Sequence, residues 1–346
     1  EHYSHRYSQT CQRLAARAAH QLLHRPTWTS PDSETLHGGS FRLDCLYRWL
    51  LDSQNQELTE SEKYKKHLGL FRNQVCAYLE QHGRFHHKLS ILQGLKSCLE
   101  VVLHHHDSVD LRDELAWAYN SRGLTYLHLG QFSRCLSELE LAEQQFRLLV
   151  DQRHQVHYRS GLASALNRRS EALRSLGQVG EAWECAHQSV EHHRQSLVEG
   201  GPQQSRLGLA RALVQRARCA ADHSLWPRAL TDLQEALNLL EQSTRQAQGR
   251  GNQADVATHF NERVKALIVR AEAYRVVGEN DNSLLDLDQA LLLTQHLEEV
   301  QGVDWSNTKA PEVQILQARA HEALQGFEEA LDAYDAAIHR FSQQLR

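Results

Sequence analysis

Methionine is absent from this sequence, and proline is scarce, with 5 residues in a chain of 346. An average chain of this length contains several methionines, so we expect a fragment of a longer protein or an edited sequence. The scarcity of proline favours long helices, because proline removes a backbone donor and clashes inside a helix. We expect Pro227 and Pro311 at helix starts, where proline is tolerated.

Long apolar runs and blocks of one charge are also missing. No run of about 18 apolar residues is present to span a membrane, and the N-terminal EHYSHRYSQT lacks the basic-then-apolar order of a signal peptide. The formal net charge is −5, and basic residues are interleaved with acidic ones, which argues against nucleic-acid binding. We expect a soluble, cytoplasmic protein with no nucleic-acid partner and no membrane insertion.

Motifs for catalysis, cofactors and metals are absent as well. The 7 cysteines form no CxxC pair and are expected to be buried free thiols. The 23 histidines include clusters, but adjacent histidines on a helix point about 100° apart and do not converge. His82 and His86 have a useful spacing, yet no carboxylate or cysteine lies beside them at zinc-site spacing. With no phosphate loop or nucleophile elbow either, we predict no metal, no cofactor and no enzyme activity.

An internal repeat is the main feature that is present. Residues 116–142, AWAYNSRGLTYLHLGQFSRCLSELELA, predict two amphipathic helices joined at Gly130. On the first helix, Tyr119, Gly123 and Tyr126 share one face, and Gly123 is expected to let a neighbouring helix approach closely.

The same pattern recurs along the chain with a constant register. Its turn positions are separated by 47 residues, with one interval of 54, and they are Gly83, Gly130, Gly177, Ser224, Gly278 and Gln325. The second helices repeat small and large residues in the same register, as in Phe132/Cys135/Leu139/Ala142 and Phe327/Ala330/Tyr334/Ala337. Self-similarity at a fixed period predicts a stacked array of helical hairpins.

This pattern resembles the tetratricopeptide repeat (TPR) family, whose aromatic, Leu-Gly, Tyr, Ala, Phe and Ala positions are matched most fully by 119–142 and 327–337. The resemblance covers about residues 60–345. The usual repeat of the family is about 34 residues, so longer helices are expected here. The resemblance implies an all-α fold: an α-solenoid of stacked antiparallel helical hairpins that forms a superhelix.

The domain organisation follows from the repeat. We expect residues 1–58 to be an N-terminal helical cap or degenerate repeat, and residues 59–346 to be an array of six TPR-like hairpins. The single longer interval predicts a glycine-containing loop over 246–255, and a second irregular connection is expected over 298–311.

In such arrays the first helix of each hairpin lines the concave face. Asn73, Asn120 and Asn167 lie 47 residues apart in this register, and an amide can bond both the N–H and the C=O of a peptide backbone. Peptide-binding members of the family use groove asparagines in this way, so the resemblance implies a ladder that captures an extended peptide. The alternative is that the three are ordinary polar surface residues.

Basic residues outnumber acidic ones on the same predicted face. The basic candidates are Arg168, Arg174, Arg211, Arg218, Lys265 and Arg275, against Glu171, Asp222 and Glu272. This balance favours an acidic segment or a C-terminal carboxylate as ligand; the alternative is internal pairing, for example of Glu171 with Arg174.

Two functions remain open from the sequence. The first is a non-enzymatic scaffold that captures a segment of a protein or peptide partner in its concave groove. The second is the sensor or regulatory part of a larger signalling ATPase or protease whose catalytic domain lies outside this chain. A structural spacer in a multi-subunit complex is a weaker third option.

Overall fold

The computed structural model describes residues 76, 79–80, 83–105, 108–153, 156–200, 204–301 and 305–344. The predicted cap of residues 1–58 and Asn73 lie outside these residues. The described residues contain eleven bounded α-helices and no strand: α1 (Phe85–His105), α2 (Val109–His128), α3 (Phe132–Arg153), α4 (Val156–Ser175), α5 (Val179–Val198), α6 (Gln204–Asp222), α7 (Trp226–Gly249), α8 (Gln253–Val276), α9 (Asn280–Gln301), α10 (Trp305–Ala323) and α11 (Phe327–Gln344).

The helices form antiparallel hairpins in which an even-numbered first helix is followed by an odd-numbered second helix. Two compact units divide between Arg168 and Arg169, inside α4. In the first unit, α1 packs on α2 and α2 on α3; in the second, each helix from α5 to α11 packs on the next. The predicted all-α class of stacked helical hairpins is therefore confirmed.

Every hairpin turns at the position that the sequence alignment predicts. Each of the six turn residues has a positive φ, between 59° at Ser224 and 86° at Gly278. At the turn between α2 and α3, Gly130 donates its N–H to the carbonyl of Leu127 (3.0 Å) and Gln131 donates to that of Tyr126 (2.9 Å). This pair of bonds satisfies carbonyls that the helix end would leave open. Ser224 and Gln325 adopt the same left-handed conformation without being glycine, at a cost of about 1 kcal/mol each.

Small residues permit close packing at the predicted register positions. Cys135, Leu139 and Ala142 are fully buried. A Cβ atom at Gly123 would lie 2.6 Å from Cδ2 of Leu139, so any larger residue there would force the Leu139 side chain to move. The expected close approach at Gly123 is confirmed.

Packing between hairpins uses an aromatic ring seated on a glycine. A Cβ atom at Gly161 would overlap the ring of Phe146, and one at Gly208 would overlap the ring of His193. His193 stands 47 residues after Phe146 and takes its place in the core. Burial, with smaller contributions from the charges of His192 and Arg211, lowers the pKa of His193 to about 4. The imidazole is therefore neutral in the folded protein at neutral pH.

In three hairpins, an arginine that is buried or half-buried links the first helix to the second. Arg216 on α6 makes two bonds of 2.8 Å to the carboxylate of Asp232 on α7. Arg270 on α8 makes bonds of 2.7 and 2.6 Å to Asp286 on α9. Arg122 on α2 lies 3.0 Å from Glu138 on α3. We call these three pairs the arginine clamps.

Each clamp arginine also reaches the second helix of the preceding hairpin. Arg122 donates to Gln93 at 2.5 Å, Arg270 donates to Gln234 at 2.6 Å, and Arg216 lies 3.4 Å from Nδ1 of His187. One side chain thus ties three helices together. Burial by itself lowers the pKa of Arg216, but the hydrogen bonds and charge of Asp232 outweigh it and raise the pKa.

Both predicted irregular connections are shorter than expected. α7 continues to Gly249 and α8 begins at Gln253, so only a short turn around Gly251 remains, and the extra residues lengthen the two helices to 24 residues each. Likewise α9 continues to Gln301 and α10 begins at Trp305. Pro311 therefore lies inside α10 rather than at its start. Pro227, by contrast, occupies the first turn of α7 as predicted.

The clamps predict a specific pattern of stability changes. Arg216→Met leaves the carboxylate of Asp232 buried without its partner and should cost about 3 kcal/mol of unfolding free energy. Arg216→Met/Asp232→Leu should recover most of that loss, because no buried charge remains. Urea denaturation measures both variants, with Arg147→Met as a control because the Arg147 side chain is 55% exposed. A double variant as unstable as the single one would contradict the clamp.

His193 predicts a loss of stability in mild acid. The unfolded histidine binds a proton below about pH 6.5, whereas the folded one does so only near pH 4. The unfolding free energy is therefore not reduced by this histidine above the unfolded pKa. It falls by about 2 kcal/mol between about pH 7.5 and 5, because the unfolded state takes up a proton that the folded state does not. His193→Phe should remove that loss, as measured by denaturation at both pH values. A parent protein equally stable at both pH values would contradict this role of His193.

Candidate binding face on the first helices

The first helices of successive hairpins lie side by side in the second unit. α6 contacts α8, and α8 contacts α10, in addition to their contacts with second helices. The first-helix face is defined here as the exposed surface of α6, α8 and α10 together with the end of α4 in this unit. This is the face on which the sequence places most of the basic candidates.

The predicted asparagine ladder does not have the expected exposure. Asn120 is fully buried, and neither its Oδ1 nor its Nδ2 has a hydrogen-bond partner within the described residues. Asn167 is half-buried, with Oδ1 unpaired among the same residues. The equivalent positions Val214 and Ile268 belong to the apolar core of the second unit. The prediction that Asn120 lies on an exposed stripe is therefore wrong.

Helical geometry explains the error. The asparagines stand three residues before the small inter-helix position, and residues three apart lie on the same face of a helix. Asn120 thus points with Gly123 into the packing between helices, not away from it. The burial of Val214 and Ile268, at 8% and 6% exposure, follows from the same geometry.

Several of the basic candidates are neutralised by acids on the next first helix. Arg174 on α4 lies 2.6 Å from Asp222 on α6, and Arg211 on α6 lies 3.0 Å from Glu262 on α8. Lys265 shares Glu262 at 3.2 Å. The internal pairing considered as an alternative therefore occurs, between helices for Arg174 and Arg211 and within α8 for Lys265, rather than with Glu171.

The carboxylate of Glu262 pairs with two basic side chains, and this pairing lowers its pKa. Burial raises the pKa of the Glu262 carboxyl, but the charges and hydrogen bonds of Arg211 and Lys265 outweigh burial and lower it. Glu262 is therefore ionised at neutral pH and pairs with both basic side chains.

A further basic candidate, Arg168, lies in the first unit. It donates to the backbone carbonyl of Asn120 at 3.1 Å.

Two basic candidates remain without an acidic partner in the described part of the chain. Arg218 on α6 is half-buried and Arg275 on α8 is exposed, and neither forms an ion pair or side-chain hydrogen bond there. Arg319 on α10 is exposed and likewise forms no ion pair among the described residues, and it was not predicted as a candidate from the sequence. The signal was available, because Arg319 occupies the repeat position of Arg218, 101 residues later after one 54-residue and one 47-residue interval. We call Arg218, Arg275 and Arg319 the free arginines.

Other expectations concern membrane, metal and thiol chemistry. None of the described helices is long and apolar enough to cross a membrane. Among the residues that the structure covers, no three metal-ligating side chains converge. Cys76 and Cys135 are buried and form no disulfide, as predicted.

Comparisons with known proteins identify the fold. No protein-family model and no curated protein matches the sequence. Among solved structures, BtubC (BKLC) from P. vanneervenii matches with a TM-score of 0.56 and 15% identity over 75% of this chain and 92% of that one. Aspartyl phosphate phosphatase F from Bacillus subtilis matches with a TM-score of 0.50 and 12% identity over 97% of this chain and 92% of that one.

A putative kinesin light chain from Podosopora anserina with TPR-like repeats also matches, with a TM-score of 0.46 and 16% identity over 68% of this chain and 98% of that one. The repeated hairpins and turns described above give the chain a TPR-like helical-repeat fold. The repeat length of 47 residues stays a prediction.

Burial of Asn120 predicts that an apolar residue is better there. Asn120→Val introduces the residue found at equivalent position 214 and removes two unpaired polar atoms from the core, so the unfolding free energy should rise by about 1 kcal/mol. Thermal and urea denaturation measure the change. Asn167→Val, at a half-buried position, is the control and should gain less. A less stable Asn120→Val protein would show that the amide is satisfied in solution.

Proposed function

We propose that this protein is a non-enzymatic, protein-binding scaffold whose first-helix face captures an acidic segment of a partner. The free arginines carry the proposal. They stand on three successive first helices, reach solvent to different degrees, and pair with no acid among the described residues, whereas Arg174, Arg211 and Lys265 are already neutralised. Unpaired guanidinium groups are suited to bind carboxylates with charge-assisted hydrogen bonds.

The spacing of the first helices suits an extended peptide. Packed helices lie about 8–10 Å apart, and an extended chain advances about 3.3 Å per residue. A peptide that crosses α6, α8 and α10 therefore passes from one helix to the next about every third residue. We infer a ligand with Asp or Glu at about that interval, or with its terminal carboxylate at one of the free arginines.

The neutralised basic residues have a secondary role in this proposal. Arg211 and Lys265 lie on the same helices as Arg218 and Arg275, and Arg174 lies at the end of α4. A ligand carboxylate competes with Asp222 and Glu262 for these three basic side chains. Arg168 and Asn167 lie in the first unit and are proposed only as further polar contacts there. The interleaved charges and the net charge of −5 favour a protein partner over nucleic acid, and a cytoplasmic location belongs to the same proposal.

Selection of displayed random peptides on the parent protein tests the proposal. Selected peptides should be acidic, and their affinity should fall about tenfold for Arg218→Gln/Arg275→Gln/Arg319→Gln, since each screened surface contact contributes about 0.5 kcal/mol. Fluorescence anisotropy with a labelled selected peptide measures the affinity. The loss should shrink at high salt.

A charge-matched control is available on the second helices. Arg134→Gln/Arg147→Gln/Arg245→Gln removes the same charge from exposed positions of α3 and α7 and should leave affinity within about twofold. If both triple variants lost the same affinity, the loss would be due to the change in net charge and not to the free arginines. Selected peptides without acidic residues would contradict the proposed ligand.

A further inference from the structure

An open cleft is formed where α8 meets the two second helices α7 and α9, and we call it the α8 cleft. Its volume is about 380 Å³, which is within the range of small-molecule sites in proteins. Every residue that lines it belongs to α7, α8 or α9. The α8 cleft therefore opens between second helices and contains none of the free arginines.

The α8 cleft has an apolar part and a charged part. Phe260 of α8 and Leu292 and Leu293 of α9 supply the apolar part. Glu241 and Arg245 of α7 and Arg263 of α8 supply the charged part, and the remaining lining residues are polar and uncharged. A mostly apolar site with a few polar groups is typical of sites for amphipathic small ligands.

The arginine of the α8 cleft replaces a core residue of the repeat. Arg263 stands fifteen residues before the turn at Gly278. The same position is apolar and at most 5% exposed in four other repeats, at Leu115, Leu162, Leu209 and Ala310. An apolar side chain thus satisfies the packing at this position, so packing gives no reason for an arginine.

Leu292 departs from the repeat in the opposite direction. It is 65% exposed and stands fourteen residues after the turn at Gly278. The same position in four other repeats is polar, at Gln144, Glu191, Asn238 and His339. An apolar wall therefore stands beside Arg263 where the other repeats present a polar side chain.

The positive charge of Arg263 is not compensated within the chain. Arg263 forms no ion pair or hydrogen bond among the described residues, and its Nε is buried. Burial lowers the pKa of its guanidinium, against the opposing charge of Glu241, but an arginine stays protonated at neutral pH. Glu241 bonds Arg245 at 2.6 Å, so two arginines and one glutamate leave a single positive charge.

We propose that the α8 cleft binds a carboxylate that carries an apolar group, such as an aromatic or branched aliphatic acid. The carboxylate accepts charge-assisted hydrogen bonds from Arg263, and the apolar group packs on Phe260 and Leu292. A carboxylate matches the single uncompensated charge, whereas a phosphate monoester carries nearly two. A free small acid and the C-terminal residue of a peptide both have this chemistry.

A fluorine NMR titration of the full chain with fluorophenylbutyrate tests the proposal. The parent should bind this acid, and Arg263→Leu should weaken binding about tenfold, because the charge-assisted bonds are lost. The variant carries the residue of three other repeats and should remain folded, as checked by circular dichroism. Arg228→Leu removes the same charge from an exposed position of α7, about 20 Å along the helix from Glu241, and should bind within about twofold of the parent.

The two halves of the ligand are tested separately. The neutral amide of the same probe should bind the parent about tenfold more weakly and should not respond to Arg263→Leu. Leu292→Asn, which introduces the residue found at equivalent position 238, should weaken the acid about fivefold through lost apolar contact.

An acetylated tripeptide that ends in phenylalanine distinguishes the two sources of the carboxylate. Tighter binding than fluorophenylbutyrate identifies a peptide C-terminus, and weaker binding identifies a free acid. A parent that binds neither acid, an amide that binds as well as the acid, or an Arg263→Leu protein that binds like the parent would overturn the proposal.

Discussion

The buried pairing of arginine with a carboxylate is the interaction on which the hairpin stack depends most. Asp232 and Asp286 are 4% and 5% exposed, and a carboxylate in such a place is tolerated only when it is paired and hydrogen-bonded. Because the guanidinium is planar and forked, it binds the carboxylate with two bonds and still has donors for the preceding hairpin. The orientation of successive helices is thus fixed by directional bonds as well as by apolar packing.

Much of the fold was predictable because it depends on local chemistry at a constant interval. The turn positions, the small residues of the second helices and the close approach at Gly123 all follow from short patterns. The lengths of α7 and α8 could not be predicted from such patterns. Gly249 and Gly251 suggested a longer loop, whereas tertiary packing kept the helices intact. The arginine clamps were detectable as Arg122, Arg216 and Arg270 in one register, each with an acid sixteen residues later.

The candidate site was less predictable, since it depends on which residues meet across helices. Arg174 pairs with a carboxylate 48 residues away and Arg211 with one 51 residues away, so the local spacing to Glu171 could not reveal either pair. Asn120 was misplaced by a local rule applied to the wrong face of the helix. Arg319 was missed because only the basic residues of earlier repeats were compared.

The turn at Gln325 has a consequence for how the molecule opens. The last described hairpin contains a left-handed glutamine, has Gln317 at the clamp position, and, among the described residues, contacts another hairpin on one side only. In a repeat protein, stability is a sum of each unit and its neighbour contacts. We therefore expect opening within α6 to α11 to start at α10 and α11, with their backbone amides exchanging with solvent before those of α6 to α9.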